Sequence, residues 1–250
     1  MQWWEGAIIA LAGLWAGLIN TVVGSGTLVT FPVLVALGYP PVTATTSNAI
    51  GLITGSITGA VGYRSEMVGH GRRVARYAVA SLLGAVGGTV LLLSLPADAF
   101  ETVAPILVGV SVLLVLVQPV LSRRLSARVA VDRKESPLLY VLIFLVGIYG
   151  GYFTAAQGIM LVGVMGLLLT DPLQRLNAFK NALTAVVNLA AGLIYAFVAP
   201  ISWPVVGVLA VSSIIGGLLG ASIGRRLSPT VLRAVIVVIG VIAVVHLLVD

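Results

Sequence analysis

The chain contains no cysteine, only two histidines and few charged residues. Its 250 residues include 8 acidic and 14 basic ones, so that 9% of the chain is charged. Without cysteine there are no disulfide bonds, no thiol catalysis and no cysteine-based metal sites. Two distant histidines do not make a metal site, and we expect neither a metal, a cofactor nor a catalytic group. Because soluble domains carry about 25% charged residues, this composition excludes a soluble domain of this size.

Apolar residues take the place of the missing charges. They make up 59% of the chain, and the mean hydropathy is +1.14. A helix needs ~20 apolar residues to cross a bilayer core of ~30 Å, and six runs reach that length. The sequence therefore predicts an all-α integral membrane protein of about eight helical segments. The six predicted spans cover roughly residues 42–63, 74–95, 102–121, 178–198, 205–223 and 234–249.

Two further apolar regions are too long for one span and contain a break. Gly6 to Gly38 is interrupted by Gly24-Ser25-Gly26, and Leu138 to Thr170 is interrupted around Thr154 to Gly158. Each region predicts a hairpin of two short or broken helices that returns to the side of the membrane it left. Broken helices of this kind are typical of secondary transporters.

The basic residues predict the orientation. The net charge of +6 is spread over short clusters between apolar runs. We therefore expect a multi-pass membrane protein and no nucleic-acid binding. Basic loops face the cytoplasm, whereas loops 96–101 and 199–204 contain no basic residue. These two loops and both termini are therefore predicted outside. The predicted cytoplasmic residues are Arg64, Arg72, Arg73, Arg76, Arg123, Arg124, Arg128, Arg133, Lys134, Arg175, Lys180, Arg225, Arg226 and Arg233.

Similar residues recur in the same order in the two halves of the chain. Chance matches are common in a chain rich in small apolar residues, and glycine pairs also serve ordinary helix packing. The order of the matches, taken with the loop charges, favours two inverted repeats within one membrane domain. The predicted units are residues 1–121, a basic cytoplasmic loop at 122–136, and residues 137–250. The matched pairs are Gly13/Gly147, Gly17/Gly151, Gly24/Gly158, Asn48/Asn181, Gly59/Gly192, Ser81/Ser213, Gly84/Gly216 and Gly88/Gly220.

Polar residues inside the apolar regions are the candidates for a binding site. A helix that begins after Gly24-Ser25-Gly26 would aim free N–H groups at the membrane interior, where they could bind an anion; a flexible kink is the alternative. We expect the N–H groups of Gln157 and Gly158 to contribute to the same site from the second break. Lys180 would balance an anionic substrate if it points inward, and would mark the cytoplasmic interface if it snorkels. The candidate binding residues are Asn20, Gly24, Ser25, Gly26, Thr27, Asn48, Thr154, Gln157, Gly158, Lys180, Asn181 and Asn188.

The acidic residues argue for an anion as the substrate. All eight fall in loops or at the ends of predicted spans. No carboxylate is therefore placed to bind sodium directly or to relay protons in the middle of a span. This placement argues against a cation transporter.

Three stretches resemble a known family. The run GLINTVVGSGTLVTFPVLVALGYPPVTATTSNAIGLITGSITGAVGYR, from Gly17 to Arg64, is similar to the first repeat of the TauE/SafE family of sulfite and organosulfonate exporters. The runs LQRLNAFKNALTAVVNLAAGLIYAF and GGLLGASIGRRLSPTVLRAVIVVIG resemble its second repeat. The resemblance implies a bacterial inner-membrane exporter of small sulfur-containing anions. It also implies a role for Lys180, which matches the pattern of the second repeat.

Together these observations predict a secondary transporter that moves a small anion by alternating access around a midplane site. An anion channel of the same architecture is the first alternative. An intramembrane enzyme is weaker, because the serines inside the spans have no base nearby in sequence, and an accessory subunit without transport activity is a third alternative. The partners would be the small anion and the lipid bilayer, and the sequence leaves a homodimer open.

Overall fold

The computed structural model describes residues 1–126, 135–223 and 229–249, and the described residues form eleven α-helices and one short 3-10 helix. Apolar residues such as Leu83 and Val90 of the fifth helix face outward, as expected of a surface in contact with lipid. The helices are α1 (Trp3–Val22), α2 (Thr27–Ala36), α3 (Pro41–Gly51), α4 (Ile53–Gly62), α5 (Gly71–Ser94), α6 (Ala97–Ser126), α7 (Pro137–Tyr152), α8 (Gln157–Leu168), α9 (Leu173–Val198), α10 (Trp203–Ile223) and α11 (Pro229–Val249), and the 3-10 helix is Arg64–Met67.

Among the described residues, five helices are long and apolar enough to cross a membrane. Four of them match predicted spans, which confirms an all-α integral membrane protein. The fifth is α1, for which the sequence predicts one short or broken arm of a hairpin but which has 20 residues. The predicted span 234–249 lies within α11. The five segments are Trp3–Val22, Gly71–Ser94, Ala97–Val120, Leu173–Val198 and Trp203–Ser222.

Both predicted breaks are present. The chain leaves helical geometry between α1 and α2, and again between α7 and α8. Gly24 takes a left-handed backbone conformation with φ of +96°, and Thr154 does the same with φ of +68°. Each donates its N–H to the carbonyl five residues earlier, which belongs to Ile19 or to Tyr149. Each first helix therefore ends in the same kind of turn, which releases the carbonyls of its last residues.

These turns correct the predicted alignment of the two hairpins. The sequence pairs Gly24 with Gly158, but the backbone makes Thr154 the counterpart of Gly24. The predicted offset is therefore wrong by four residues, about one helical turn. Threonine rarely adopts positive φ. An alignment that matches residue types therefore pairs Gly24 with Gly158, the next glycine after Thr154. The inverted orientation of the halves stays a prediction.

The predicted span 42–63 is two helices. Leu52 separates α3 from α4, although its N–H still bonds to Asn48 O at 2.9 Å and its carbonyl accepts the N–H of Ser56 at 3.0 Å. The Ser213 hydroxyl donates to Gly51 O at 3.2 Å. A hydroxyl from another helix thus satisfies a carbonyl at the split. Nothing in the local sequence indicates this division, because Ser213 lies far along the chain.

The two halves of the chain exchange packing partners. Helix α1 packs along α10, and α7 packs along α5. Glycines make both contacts close: a Cβ on Gly216 of α10 would lie 2.0 Å from Leu14 O, and one on Gly88 of α5 would lie 1.9 Å from Ile148 O. Small residues let membrane helices approach backbone to backbone. Each hairpin is therefore held by a helix of the other half.

Part of the predicted basic loops lies outside the described residues. Helix α6 continues to Ser126, so it extends into the segment 122–136 that the sequence predicts to be a loop. The membrane orientation, which depends on these charges, stays a prediction. The charged residues outside the description are Arg128, Asp132, Arg133, Lys134, Arg225, Arg226 and Asp250.

Candidate functional site

The two helix breaks touch each other in the interior of the protein. The N–H of Gly158, in the first turn of α8, donates to Gly24 O at 3.1 Å. A Cβ on Gly24 would lie 2.7 Å from Gly158 Cα, and a Cβ on Gly158 would lie 2.6 Å from Gly24 Cα. Only glycine fits at either position. The contact joins the ends of four helices, α1, α2, α7 and α8.

The N–H groups at the two breaks are not equally free. The prediction of free donors at Gln157 and Gly158 is wrong, because Gln157 N–H donates to Thr154 O and Gly158 N–H to Gly24 O. In the first break, the N–H groups of Ser25, Gly26 and Thr27 make no hydrogen bond with the described residues. The Ser25 hydroxyl is buried and has no partner among those residues either. The first break therefore leaves three main-chain donors without a partner among the described residues, whereas the second leaves the N–H of Ala156.

Lys180 lies fully inside the protein. Helix α9 begins at Leu173, so that Lys180 sits two turns into the helix rather than near its start, and 0% of it is exposed. Its Nζ donates to Asn20 O and Thr21 O, both at 3.0 Å. The snorkelling alternative is thereby excluded. No carboxylate among the described residues forms an ion pair with Lys180.

Further polar side chains of α9 continue from Lys180 toward the centre of the helix. Asn181 Nδ2 donates to Thr21 O at 3.4 Å. One and two turns further, the buried Thr184 hydroxyl has no partner in the described part of the chain, and Asn188 donates to Ser56 Oγ at 2.8 Å but leaves its Oδ1 unpartnered there. Asn20 donates to the same Ser56 hydroxyl at 3.3 Å. We call Asn20, Ser56, Lys180, Asn181, Thr184 and Asn188 the lysine cluster.

Asn48 belongs to a second cluster, next to the first break. It donates from Nδ2 to Thr27 Oγ1 at 3.1 Å and accepts the Thr30 hydroxyl at Oδ1. All three residues are buried. This Asn48 cluster ties α3 to the first turns of α2. Because its side chains bond to each other, the cluster positions the first break rather than presenting a group to a ligand.

Gln157 and Thr154 stand at the second break. Both polar atoms of the Gln157 side chain are fully buried and make no hydrogen bond with any described residue. The amide packs on α7, where a Cβ on Gly150 would lie 2.4 Å from Gln157 Cδ. The Thr154 hydroxyl donates to Gly150 O at 2.7 Å. Since buried polar groups are nearly always paired, this unpaired amide makes Gln157 a candidate for binding a ligand.

The structure therefore brings the predicted residues together in three groups around one contact. Lys180 joins the lysine cluster to that contact, since a Cβ on Gly158 would lie 3.0 Å from Lys180 Cδ. Sequence reasoning missed Thr30, Ser56 and Thr184. Thr184 could have been found, because it lies on the same face of α9 as Lys180 and Asn188 at a spacing of four residues. Ser56 and Thr30 show no comparable signal.

Comparison with known proteins agrees with this architecture. The family model described as "Sulfite exporter TauE/SafE" matches residues 9–247. The chain belongs to the TauE/SafE family. Its relatives include a probable membrane transporter protein of Haemophilus influenzae, 27% identical over 93% of this chain and 90% of that protein. The probable membrane transporter protein YfcA of Escherichia coli K12 is 25% identical over 97% and 89% of the two chains.

A third relative, the probable membrane transporter protein ORF9 of a Sinorhizobium species, is 21% identical over 98% of this chain and 92% of that protein. The shared length covers nearly all of each chain, and all three relatives are named as probable membrane transporter proteins. This TauE/SafE protein is therefore a membrane transporter. Among its described residues, no group of three His, Asp or Glu side chains could hold a metal ion.

A charge cluster closes one end of the helices beside the site. Arg73 of α5 binds Asp171 with both terminal nitrogens, at 2.8 and 3.1 Å, and donates from Nε to Glu135 at 2.8 Å. Arg175 also binds Asp171, at 2.9 Å. The Arg73 guanidinium lies 5.6 Å from the ring centre of Phe179, the neighbour of Lys180. The cluster thus links the segments before α7 and α9 to the start of α5.

The two acids of the charge cluster are held ionised. Burial would raise the pKa of Asp171, but hydrogen bonds from Arg73 and Arg175 lower it below its usual value. Burial likewise opposes ionisation of Glu135, whereas hydrogen bonds from Tyr140, Tyr77 and Arg73 lower its pKa. Both lowered values mean that the cluster stabilises the fold above the usual carboxylate range and loses that contribution as the pH falls through the folded pKa values.

Proposed function

We propose that this TauE/SafE protein is a secondary transporter that exports sulfite, a sulfonate or a related sulfur-containing organic anion across the bacterial inner membrane. The observation that carries the proposal is a fully buried lysine that has no acidic partner among the described residues, next to polar groups that have no partner there either. A buried charge is costly unless something compensates it. An anion entering the site would supply that compensation.

The available donors suit an oxyanion. Lys180 has three N–H donors, and two of them are engaged by main-chain carbonyls. The third remains for a ligand, together with the Thr184 hydroxyl, the Gln157 amide and the donors of Ser25 to Thr27. A sulfite or sulfonate group presents three oxygens around one sulfur, and such a group accepts several convergent hydrogen bonds. The single charge of Lys180 matches a monoanion.

The position of the donors favours alternating access around them. Donors come from α2, α8 and α9, and the contact between Gly24 and Gly158 lies among them. In broken-helix transporters the substrate binds where the breaks meet, and one repeat rocks against the other around that point. The proposed substrate site accordingly comprises the lysine cluster, the first break and Gln157.

The proposal is tested by flux in liposomes that contain the purified protein. Sulfite and ethanesulfonate efflux should saturate with substrate and should be accelerated by the same anion on the opposite side. Lys180→Met and Thr184→Val should each lower the flux at least ten-fold, since each removes a donor that a bound oxyanion would use. The matched control is Ser81→Ala, which also removes a buried hydroxyl without a partner among the described residues but from α5, outside the site.

Three outcomes would contradict parts of the proposal. Equal loss in Thr184→Val and Ser81→Ala would mean that the hydroxyl acts through the fold rather than through the substrate. Single-channel currents without acceleration by opposing substrate would identify an anion channel. Flux that survives both Lys180→Met and Thr184→Val would exclude the site.

A further inference from the structure

The end of α1 forms a pair of carbonyls that a regular helix would not expose. Because Gly24 N–H turns back to Ile19 O at 2.9 Å, it does not reach Asn20 O, which would be its partner in a continuous helix. Asn20 O and Thr21 O therefore point away from the helix at its C-terminal end. That end carries the negative part of the helix dipole, so two convergent carbonyls there favour a cation.

The Lys180 ammonium already occupies this position. Nζ lies 3.0 Å from both carbonyls, and Asn181 adds a neutral donor to Thr21 O. In transporters with broken helices, released carbonyls and C-terminal helix ends hold the sodium ion or proton that is coupled to transport. In this protein the ammonium group of Lys180 lies at the position where a free cation would bind.

The other half of the chain has no such lysine. The residue before Asn48 is Ser47, whereas the residue before its match Asn181 is Lys180. The Ser47 hydroxyl accepts the N–H of Ser202 at 2.9 Å. Lys180 is the only lysine among the described residues, and its ammonium lies on the carbonyl pair at the end of α1.

We propose that Lys180 is a tethered replacement for a monovalent cation, held on Asn20 O and Thr21 O, and that anion binding therefore requires neither Na⁺ nor K⁺. The inference builds on the proposed anion site and names its counter-cation. The tethered ammonium keeps one N–H for the anion, so that the site is charged before the substrate arrives. Deleting the side chain should leave a cavity in which a free cation can bind.

The first test needs no substrate. Thermal unfolding of wild type and Lys180→Ala is followed in detergent with choline, sodium or methylammonium chloride. Methylammonium carries the amine that the substitution removes. The variant should unfold at a lower temperature than wild type in choline, and sodium or methylammonium at about ten times its Kd should raise that temperature by about 3–6 °C. Wild type and the control Ser47→Ala should respond equally to all three salts.

Two results of this test would overturn the inference. One is a Lys180→Ala variant that neither cation stabilises. The other is a wild type that sodium stabilises over choline, because a filled site should not bind a second cation. The comparison of sodium with choline uses only the wild-type protein, so it tests the inference even if the Lys180→Ala variant fails to fold.

A flux measurement forms the second arm. Ethanesulfonate flux through wild type should be the same when choline replaces sodium, and a sodium requirement would overturn the inference. Flux through Lys180→Ala should be at least ten-fold lower and should recover several-fold with methylammonium. If wild type moves no sulfonate or sulfite at all, the proposed substrate class fails, and the unfolding experiment still decides the cation site.

Discussion

Gly24 and Gly38 both have a left-handed backbone, with φ of +96° and +85°, but their surroundings differ. A side chain at Gly38 would meet nothing within 4 Å, whereas one at Gly24 would meet the backbone of Gly158. Comparing substitutions at the two positions therefore separates the cost of left-handed backbone strain from the cost of steric overlap. Both substitutions to alanine carry the left-handed strain of about 1–2 kcal/mol, and only Gly24→Ala also forces the two breaks apart.

We expect Gly24→Ala to lower the free energy of unfolding by about 1–3 kcal/mol more than Gly38→Ala does, which is the usual cost of overpacking. It should also abolish sulfonate flux, because the donors around the contact would be displaced. Thermal unfolding in detergent and flux in liposomes measure the two effects. Equal losses for the two variants would mean that the contact between the breaks contributes nothing.

Residue type decides which parts of the candidate site the sequence can reveal. Lys180 stands out because a cation inside an apolar run is rare, and Gly24 stands out because glycine interrupts helices. Ser56 and Thr30 do not stand out, since hydroxyl groups in helices usually bond to a carbonyl of their own helix. That Ser56 instead receives two amides, from Asn20 and Asn188, follows from the meeting of three helices and not from its local sequence.

At the scale of elements, the contact between α5 and α7 depends on one of two adjacent glycines. A Cβ on Gly88 would lie 1.9 Å from Ile148 O, but a Cβ on Gly87 would approach only Ile148 Cγ1, at 3.8 Å. Gly88→Ala should lower the free energy of unfolding by about 1–3 kcal/mol, because it pushes two backbones apart. Gly87→Ala should be neutral or raise it by about 0.5–1 kcal/mol, since alanine favours the helix.

Unfolding midpoints of the two variants, measured side by side in detergent, check this prediction. The substitutions are chemically identical and occupy successive positions, so that differences in helix propensity cancel. If Gly87→Ala proved as damaging as Gly88→Ala, the close approach of α5 and α7 would be wrong.

The helices themselves are largely predictable from the sequence, whereas their boundaries and divisions are not always. The glycines at positions 24 and 26 mark the first break in the sequence itself. The division at Leu52 is invisible there, because the hydroxyl that accompanies it belongs to Ser213, about 160 residues away. The second break is found only approximately, since Thr154 holds a conformation that its residue type does not suggest.

At the scale of the whole molecule, the absence of cysteine makes the orientation directly measurable. Gln2 and Arg72 are both exposed, and the positive-inside pattern predicts Gln2 outside and Arg72 inside. A membrane-impermeant maleimide should therefore label Gln2→Cys in intact spheroplasts, and should label Arg72→Cys only after the membrane is opened. No wild-type thiol contributes background.

The reverse labelling pattern would invert the predicted orientation and would place the charge cluster outside the cell. Labelling of both positions in intact spheroplasts would contradict the predicted number of crossings between α1 and α5. A cysteine in place of Leu113, an outward-facing residue in the middle of α6, serves as a control for a position within the bilayer and should resist labelling in both preparations.

The exchange of packing partners has a consequence for biosynthesis. Helix α1 leaves the ribosome before α10, against which it packs and which follows roughly 180 residues later. At about 5–20 residues per second, the helix waits on the order of 10–35 s for its partner. During that time the glycine face of α1, including Gly13 and Gly17, lacks the α10 residues that it contacts in the folded protein. Most of the protein must therefore be synthesised before α1 reaches its final place, and the anion site can form only at that late stage.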